Sequence, residues 1–119
     1  MTAAPLPMVL IVEDEWLIAD QIAEALRDDG FGIVGPVGQV AAALDLLKTE
    51  RINVALIDIN INGDRTFRLA DALANASIPF AFLSGYSRAD LPPNLRDRPL
   101  LQKPVNANAV CRCVRALLS

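Results

Sequence analysis

Histidine is absent from the 119 residues, cysteine occurs only at Cys111 and Cys113, and aromatic side chains make up 5% of the chain. Without histidine and with a single cysteine pair, the sequence is too poor in nitrogen and sulfur ligands for a zinc site. The two cysteines lie two apart in a segment that reads as helix, so they point to different sides and do not readily bridge. They are expected to be small buried thiols in a reduced, cytoplasmic setting. An excess of Lys and Arg is also missing: the net charge of −3 leaves no basic footprint for nucleic acid. No apolar run approaches the roughly 20 residues of a membrane span, and the opening MTAAPLP lacks the basic region of a signal peptide. These absences predict a soluble cytoplasmic protein with no direct contact to nucleic acid or membrane.

What is present is a core. Hydrophobic residues make up 53% of the chain and charged residues 21%, a globular balance at a length that suits one domain. Residues 1–7 read as a loose leader and residues 8–119 as the domain, with no output domain following. MVLIV (8–12) is short, branched and continuously apolar, the pattern of a strand buried on both faces. From Trp16 to Asp29 the residues Ile18, Ile22, Ala25 and Leu26 recur at helical spacing, and Gly30 stands where a helix C-cap belongs. The alternation then repeats. Residues 31–37 read as a strand and 39–50 as a helix through Val40, Ala43, Leu44 and Leu47. Val54 to Ile59 is a third strand, and the loop NINGD leads to a helix over about residues 66–76. PFAFL (79–83) is a fourth strand and Leu100 to Gln102 a fifth. Val110, Val114, Leu117 and Leu118 form the inward stripe of a last helix. Pro92 and Pro93 forbid a long helix in residues 87–98, leaving a short turn or an irregular segment. FGIVGPVG is glycine-rich, but without dinucleotide-loop spacing or an acidic partner it reads as strand and turn.

Strands alternating with helices imply a parallel sheet with helices on both faces, because each crossover must be long enough to hold a helix. Five such units predict an α/β, flavodoxin-like (βα)5 open sandwich with strand order 2-1-3-4-5, its fourth helix short or irregular. Ligands of such sheets bind beyond the carboxyl ends of the strands. Glu13, Asp14 and Asp58 stand at the ends of the first and third strands, so the acids are predicted to meet in one cleft. Carboxylates at that separation repel by about 4 kcal/mol per close pair at an effective dielectric near 20. Either one member takes a proton or a divalent cation binds, and an all-oxygen set suits Mg2+. With a metal present, Asp58 can act as nucleophile toward a phosphoryl group. Ser84, after the fourth strand, can donate a hydroxyl to it, and Lys103, after the fifth, can pair with its charge.

Each residue also has a plainer reading. Glu13 to Glu15 can be a solvated helix start favoured by the macrodipole, the reading preferred for Glu15. Ser84 can be a loop serine, Lys103 a surface lysine, Tyr86 a packed aromatic, and Arg112 and Arg115 a solvated helix face. The ordered set, with one polar group after each of four strands, outweighs these for Asp14, Asp58 and Lys103.

The acidic pair Glu13-Asp14, Asp58 after the third strand, Ser84 after the fourth and Lys103-Pro104 after the fifth together resemble the receiver domain of two-component response regulators, over nearly the whole chain. The resemblance implies that Asp58 is the phosphoacceptor, that Asp14 and Asp58 bind Mg2+ directly with the Asn60 backbone carbonyl, and that Glu13 acts directly or through water. It implies Asp58, Ser84 and Lys103 as the reactive set, and a Lys103-Pro104 bond that is often cis in the family. Partners implied are a histidine kinase or phosphotransfer protein and a downstream protein. PFAFLSGY further resembles a stand-alone subgroup with a Phe-Ala-Thr-Gly-Tyr-like motif, matching at Phe82, Gly85 and Tyr86 and departing at Leu83 and Ser84. Ser84, Gly85, Tyr86 and Pro104 are the implied switch residues. Leu100 replaces the usual switch aromatic of the fifth strand, and Asn62 stands where many receivers have Pro. The rival readings are a Mg2+-dependent phosphohydrolase working through an aspartyl phosphate, against which Asn60 stands where a second Asp is usual, and a pseudo-receiver that never carries phosphate.

Overall fold

Continuous branched runs make poor helix surfaces and good buried strands, and in the computed structural model, which describes residues 5–85 and 91–119, they form the central sheet. In chain order the elements are β1 (Met8–Val12), α1 (Trp16–Asp28), β2 (Gly32–Val37), α2 (Val40–Thr49), β3 (Val54–Asp58), β4 (Asn60–Ile61), β5 (Asp64–Arg65), α3 (Phe67–Asn75), β6 (Phe80–Ser84), a 3-10 turn (Pro93–Leu95), β7 (Leu100–Gln102) and α4 (Ala107–Leu118). The five-stranded sheet runs β2-β1-β3-β6-β7 with every pairing parallel. With β6 and β7 counted as fourth and fifth, this is the order expected from the alternation. β4 and β5 pair antiparallel in a separate hairpin, where the sequence reading has only a loop.

Side chains alternate between the faces with the period of two that a strand imposes. Val9 and Ile11 of β1, Val54 and Leu56 of β3, and Ala81 and Leu83 of β6 meet Ala19, Ile22, Ala23 and Leu26 of α1 and Val110, Cys111 and Val114 of α4. Leu10, Val12, Ala55, Ile57, Phe80 and Phe82 face the other way, against Ala43 of α2 and Leu69, Ala70 and Leu73 of α3. Crossovers from β1 and β3 therefore depart to opposite faces, which opens a crevice between their carboxyl ends.

Leu91 and Leu95 complete the second core, and Arg98 lies 4.4 Å from the centre of the Phe80 ring. Of the segment expected to be short or irregular, the described part holds the 3-10 turn, and its remainder lies outside the described residues. The last helix differs from its expected stripe: Leu118 is 36% exposed, while Cys111 is buried and Cys113 only partly so. Val114 is the last residue of α4 in the buried core, and Leu117 packs only at its margin. No helix among the described residues is long and apolar enough to cross a membrane.

Candidate functional site

Each acid owes its place to the strand before it. Glu13 directly follows β1, and its N–H donates to the Val37 carbonyl at 2.9 Å, carrying the ladder one residue past the strand. Its side chain is consequently trapped, with the residue 2% exposed. Glu13 Oε2 accepts the Glu15 N–H at 3.1 Å. Glu13 Oε1 lies 2.7 Å from Lys103 Nζ in an ion pair. Asp58 is the final residue of β3; Oδ1 accepts the Asn60 N–H at 3.0 Å, and Oδ2 accepts from Lys103 Nζ at 2.6 Å. Asp14 is exposed, and its Oδ2 accepts the Asn62 N–H at 2.9 Å. Lys103 follows β7, and its own N–H donates to the Ser84 carbonyl at 2.7 Å, tying the ends of β6 and β7 together.

Burial sets the electrostatics. It pushes the Glu13 carboxyl up from 4.5 to about 7, with the Asp58 charge adding to the rise, while the Lys103 and Glu15 hydrogen bonds oppose it. For Lys103 burial works against the ammonium, but hydrogen bonds to Asp58 and Glu13, and their charges, more than offset it, and the net shift is upward. The Lys103 ammonium thus pairs with Glu13 and Asp58, whose ligand atoms, with that of Asp14, all lie within 4.8 Å of one another. These donors are all oxygen, and Asn60 Oδ1 nearby is buried without a hydrogen-bond partner among the described residues. A hard divalent cation fits that donor chemistry. The cleft has a volume of about 430 Å3 and is open to solvent between Asp14, Asp58, Asn60, Asn62, Gly85 and Lys103.

Of the residues singled out from sequence, Glu13, Asp14, Asp58, Asn60 and Lys103 come together here, and Gly85 lines the same cleft. Ser84 is buried at the end of β6, one position beyond Leu83, which sits opposite Asp58 in the sheet. The Lys103-Pro104 bond is cis, and Pro104 is exposed. Tyr86 lies outside the described residues. Glu15 is exposed at the start of α1, as expected of a solvated acid, yet its Oε2 reaches within 3.5 Å of Lys103 Nζ.

Thr66 escaped the sequence reading, and Asn62 entered it only as standing where many receivers have Pro. Thr66 is fully buried, and its hydroxyl donates to the Asp58 carbonyl at 2.5 Å and lies 3.2 Å from that of Ile59. A Thr just before a helix signals an N-cap, but here the hydroxyl turns back onto the strand and steadies the acid-bearing end of β3. Asn62 and Gly63 form the two-residue turn of the β4–β5 hairpin, and both have positive φ. Asn-Gly is the strongest short-range signal of such a turn.

Comparison with known proteins agrees with this geometry. Residues 9–115 match the family model of the response regulator receiver domain. The transcriptional regulatory protein PdtaR of Mycobacterium tuberculosis is 33% identical over 90 residues, covering 75% of this chain and 44% of that protein. The chain therefore spans less than half the length of the curated relatives it matches. The solution structure of SdrG from Sphingomonas melonis Fr1 superposes with a TM-score of 0.85 at 38% identity, over 98% of this chain and 100% of that one. SdrG in a BeF3-activated conformation gives a TM-score of 0.82 over the same spans. PhyR from Brucella abortus is 27% identical with a TM-score of 0.82, over 96% of this chain and 48% of that one.

Proposed function

Because the chain belongs to the response regulator receiver domain family of two-component systems, we propose that it is a stand-alone phosphoacceptor whose nucleophile is Asp58. The single observation that carries this reading is the Asp58 carboxylate at a strand end, 2.6 Å from Lys103 Nζ, with the Glu13 and Asp14 oxygens within metal-sharing distance. The proposed donor is a phosphohistidine on a histidine kinase or phosphotransfer protein. An Asp58 oxygen attacks phosphorus, the P–O bond forms as the P–N bond breaks, and the electron pair of that bond leaves with the imidazole. Bound Mg2+, held by Asp14, Asp58 and the Asn60 backbone carbonyl with Glu13 beside them, would supply charge neutralisation of the phosphoryl oxygens.

The chain's own residues do the rest. Lys103 holds Asp58 in place before transfer and follows the new negative charge afterwards, since its ammonium is kept charged by its partners. Ser84, at the adjoining strand end, offers a hydroxyl to the same phosphoryl group. Movement of Ser84 and Lys103 toward that charge shifts the backbone at Gly85 and changes the surface offered to a downstream protein. Its only chemistry would be its own phosphorylation and dephosphorylation, in the cytoplasm. The SdrG structures support a receiver with an activated form, since one of them is in a BeF3-activated conformation, and BeF3 bonded to a carboxylate oxygen is a tetrahedral mimic of a phosphoryl group.

The test is transfer from a phosphorylated kinase, or from a small phosphodonor, to wild-type and Asp58→Asn chains in Mg2+. Acid-labile, base-labile label is expected on the wild type and none on the variant. Persistent label on Asp58→Asn would refute the acceptor assignment, and rapid multiple turnover on phosphate monoesters would replace the reading with a phosphohydrolase.

A further inference from the structure

Three loops of the cleft meet at Asn62. Its backbone N–H donates to Asp14 Oδ2, and its side-chain Nδ2 donates to the Gly38 carbonyl, each at 2.9 Å. One residue of the β4–β5 turn thus grips the loop after β1 through its main chain and the loop after β2 through its side chain. These two loops already touch: a Cβ added at Gly38 would stand 3.4 Å from Asp14 Cα and 3.6 Å from the Glu13 carbonyl oxygen.

The grip matters because of what Asp14 otherwise lacks. Its side chain is exposed, and the Asn62 N–H is the one hydrogen-bond donor it meets among the described residues. An exposed aspartate with no partner samples several rotamers, and a site that must gather three carboxylates gains from having each one held beforehand. The hairpin that presents the N–H is only two residues on each side, too short to be rigid by itself. The Asn62 amide supplies the missing anchor. Asn is suited to the task, since it tolerates the φ of 51° that the turn requires.

We propose that Asn62 is a positioning residue of the metal cleft: its side-chain amide staples the β4–β5 turn to the loop after β2, and the stapled turn holds Asp14 oriented for a divalent cation. This rests on the reading of Asp14 as a metal ligand, and the experiment separates the two. Asn62→Gly keeps the N–H and accepts the positive φ while removing the side-chain staple. Mg2+ titrations of the full chain, followed by the fluorescence of Trp16 two residues from Asp14 and by amide chemical shifts, are run on wild type, Asn62→Gly and Asp14→Asn. The expected result is Mg2+ affinity about tenfold weaker in Asn62→Gly, with its melting temperature in chelator near that of wild type. Asn62→Gly binding Mg2+ as tightly as wild type, while Asp14→Asn does not bind, would overturn the staple alone. Wild-type binding that Asp14→Asn leaves intact would overturn the ligand assignment and the staple with it. A second measurement needs no variant: in the metal-free chain the Asn62 amide proton is expected to exchange more than about tenfold slower than in an unprotected peptide. Exchange at the free-peptide rate would also overturn the proposal.

Discussion

Glu13 shows how a single residue couples the site to the stability of the fold. Its carboxyl is pushed up from 4.5 to about 7 by burial, so between those values the folded chain binds a proton that the unfolded chain has released. Stability linked to Glu13 is therefore fully present below about pH 4.5, declines as pH rises toward 7, and is lost above it. In chelator, the melting temperature is expected to fall between about pH 4.5 and 7, and Glu13→Gln, which carries no charge to desolvate, should show a shallower fall. Equal slopes for the two proteins would remove burial of an ionised Glu13 as the cause. At this scale the sequence was informative about identity and silent about burial. It marked the pair Glu13-Asp14, Asp58 and Lys103 because they stand at the ends of three separate apolar runs. That Glu13 would be enclosed while Asp14 next to it stays exposed depends on the ladder bond from Glu13 N–H to Val37, a contact between residues 24 positions apart.

Among the elements, the segment between β6 and β7 differs most from a regular βα unit. Leu95 of the 3-10 turn is 3% exposed and packs in the core beside Phe80 and Phe82, where a helix would otherwise lie. Leu95→Ala is expected to destabilise the chain by about 2–3 kcal/mol, the lower part of the range for a buried leucine, whereas Leu118→Ala should change stability by less than about 0.5 kcal/mol. Urea denaturation of the two variants decides: a loss at Leu118 as large as at Leu95 would restore the inward stripe read from periodicity. That stripe continued to Leu118 because Val110, Val114 and Leu118 follow a helical repeat, but a repeat cannot report where the partner surface stops. The β4–β5 hairpin was missed for a different reason. Its strands are two residues each, below the length at which alternation becomes visible, and only the Asn-Gly pair announced it.

For the whole molecule, the consequence of the sheet order is that the proposed metal ligands, from the loop after β1, the end of β3 and the start of β4, exist as a set only in the folded chain. Under the proposed function, metal binding would be a folding term: Mg2+ at ten times its dissociation constant is expected to raise stability by about 1.4 kcal/mol. Melting temperatures in MgCl2, against NaCl at equal ionic strength, provide the measurement, with Asp14→Asn as the control that should lose the increment. An increase that persists in Asp14→Asn would place the cation elsewhere on the surface.

The sequence by itself determined the alternation of strands and helices, the parallel sheet, and which polar groups leave the carboxyl ends of the strands, because those features are written in local periodicity and in the residue that ends each run. Only the tertiary structure decided that Lys103 lies against Glu13 and Asp58, that Thr66 holds the end of β3, and that Asn62 bridges Asp14 and Gly38. Those contacts join segments from different strand ends, and no periodicity along one chain encodes which side chain of a neighbouring loop will stand within 3 Å.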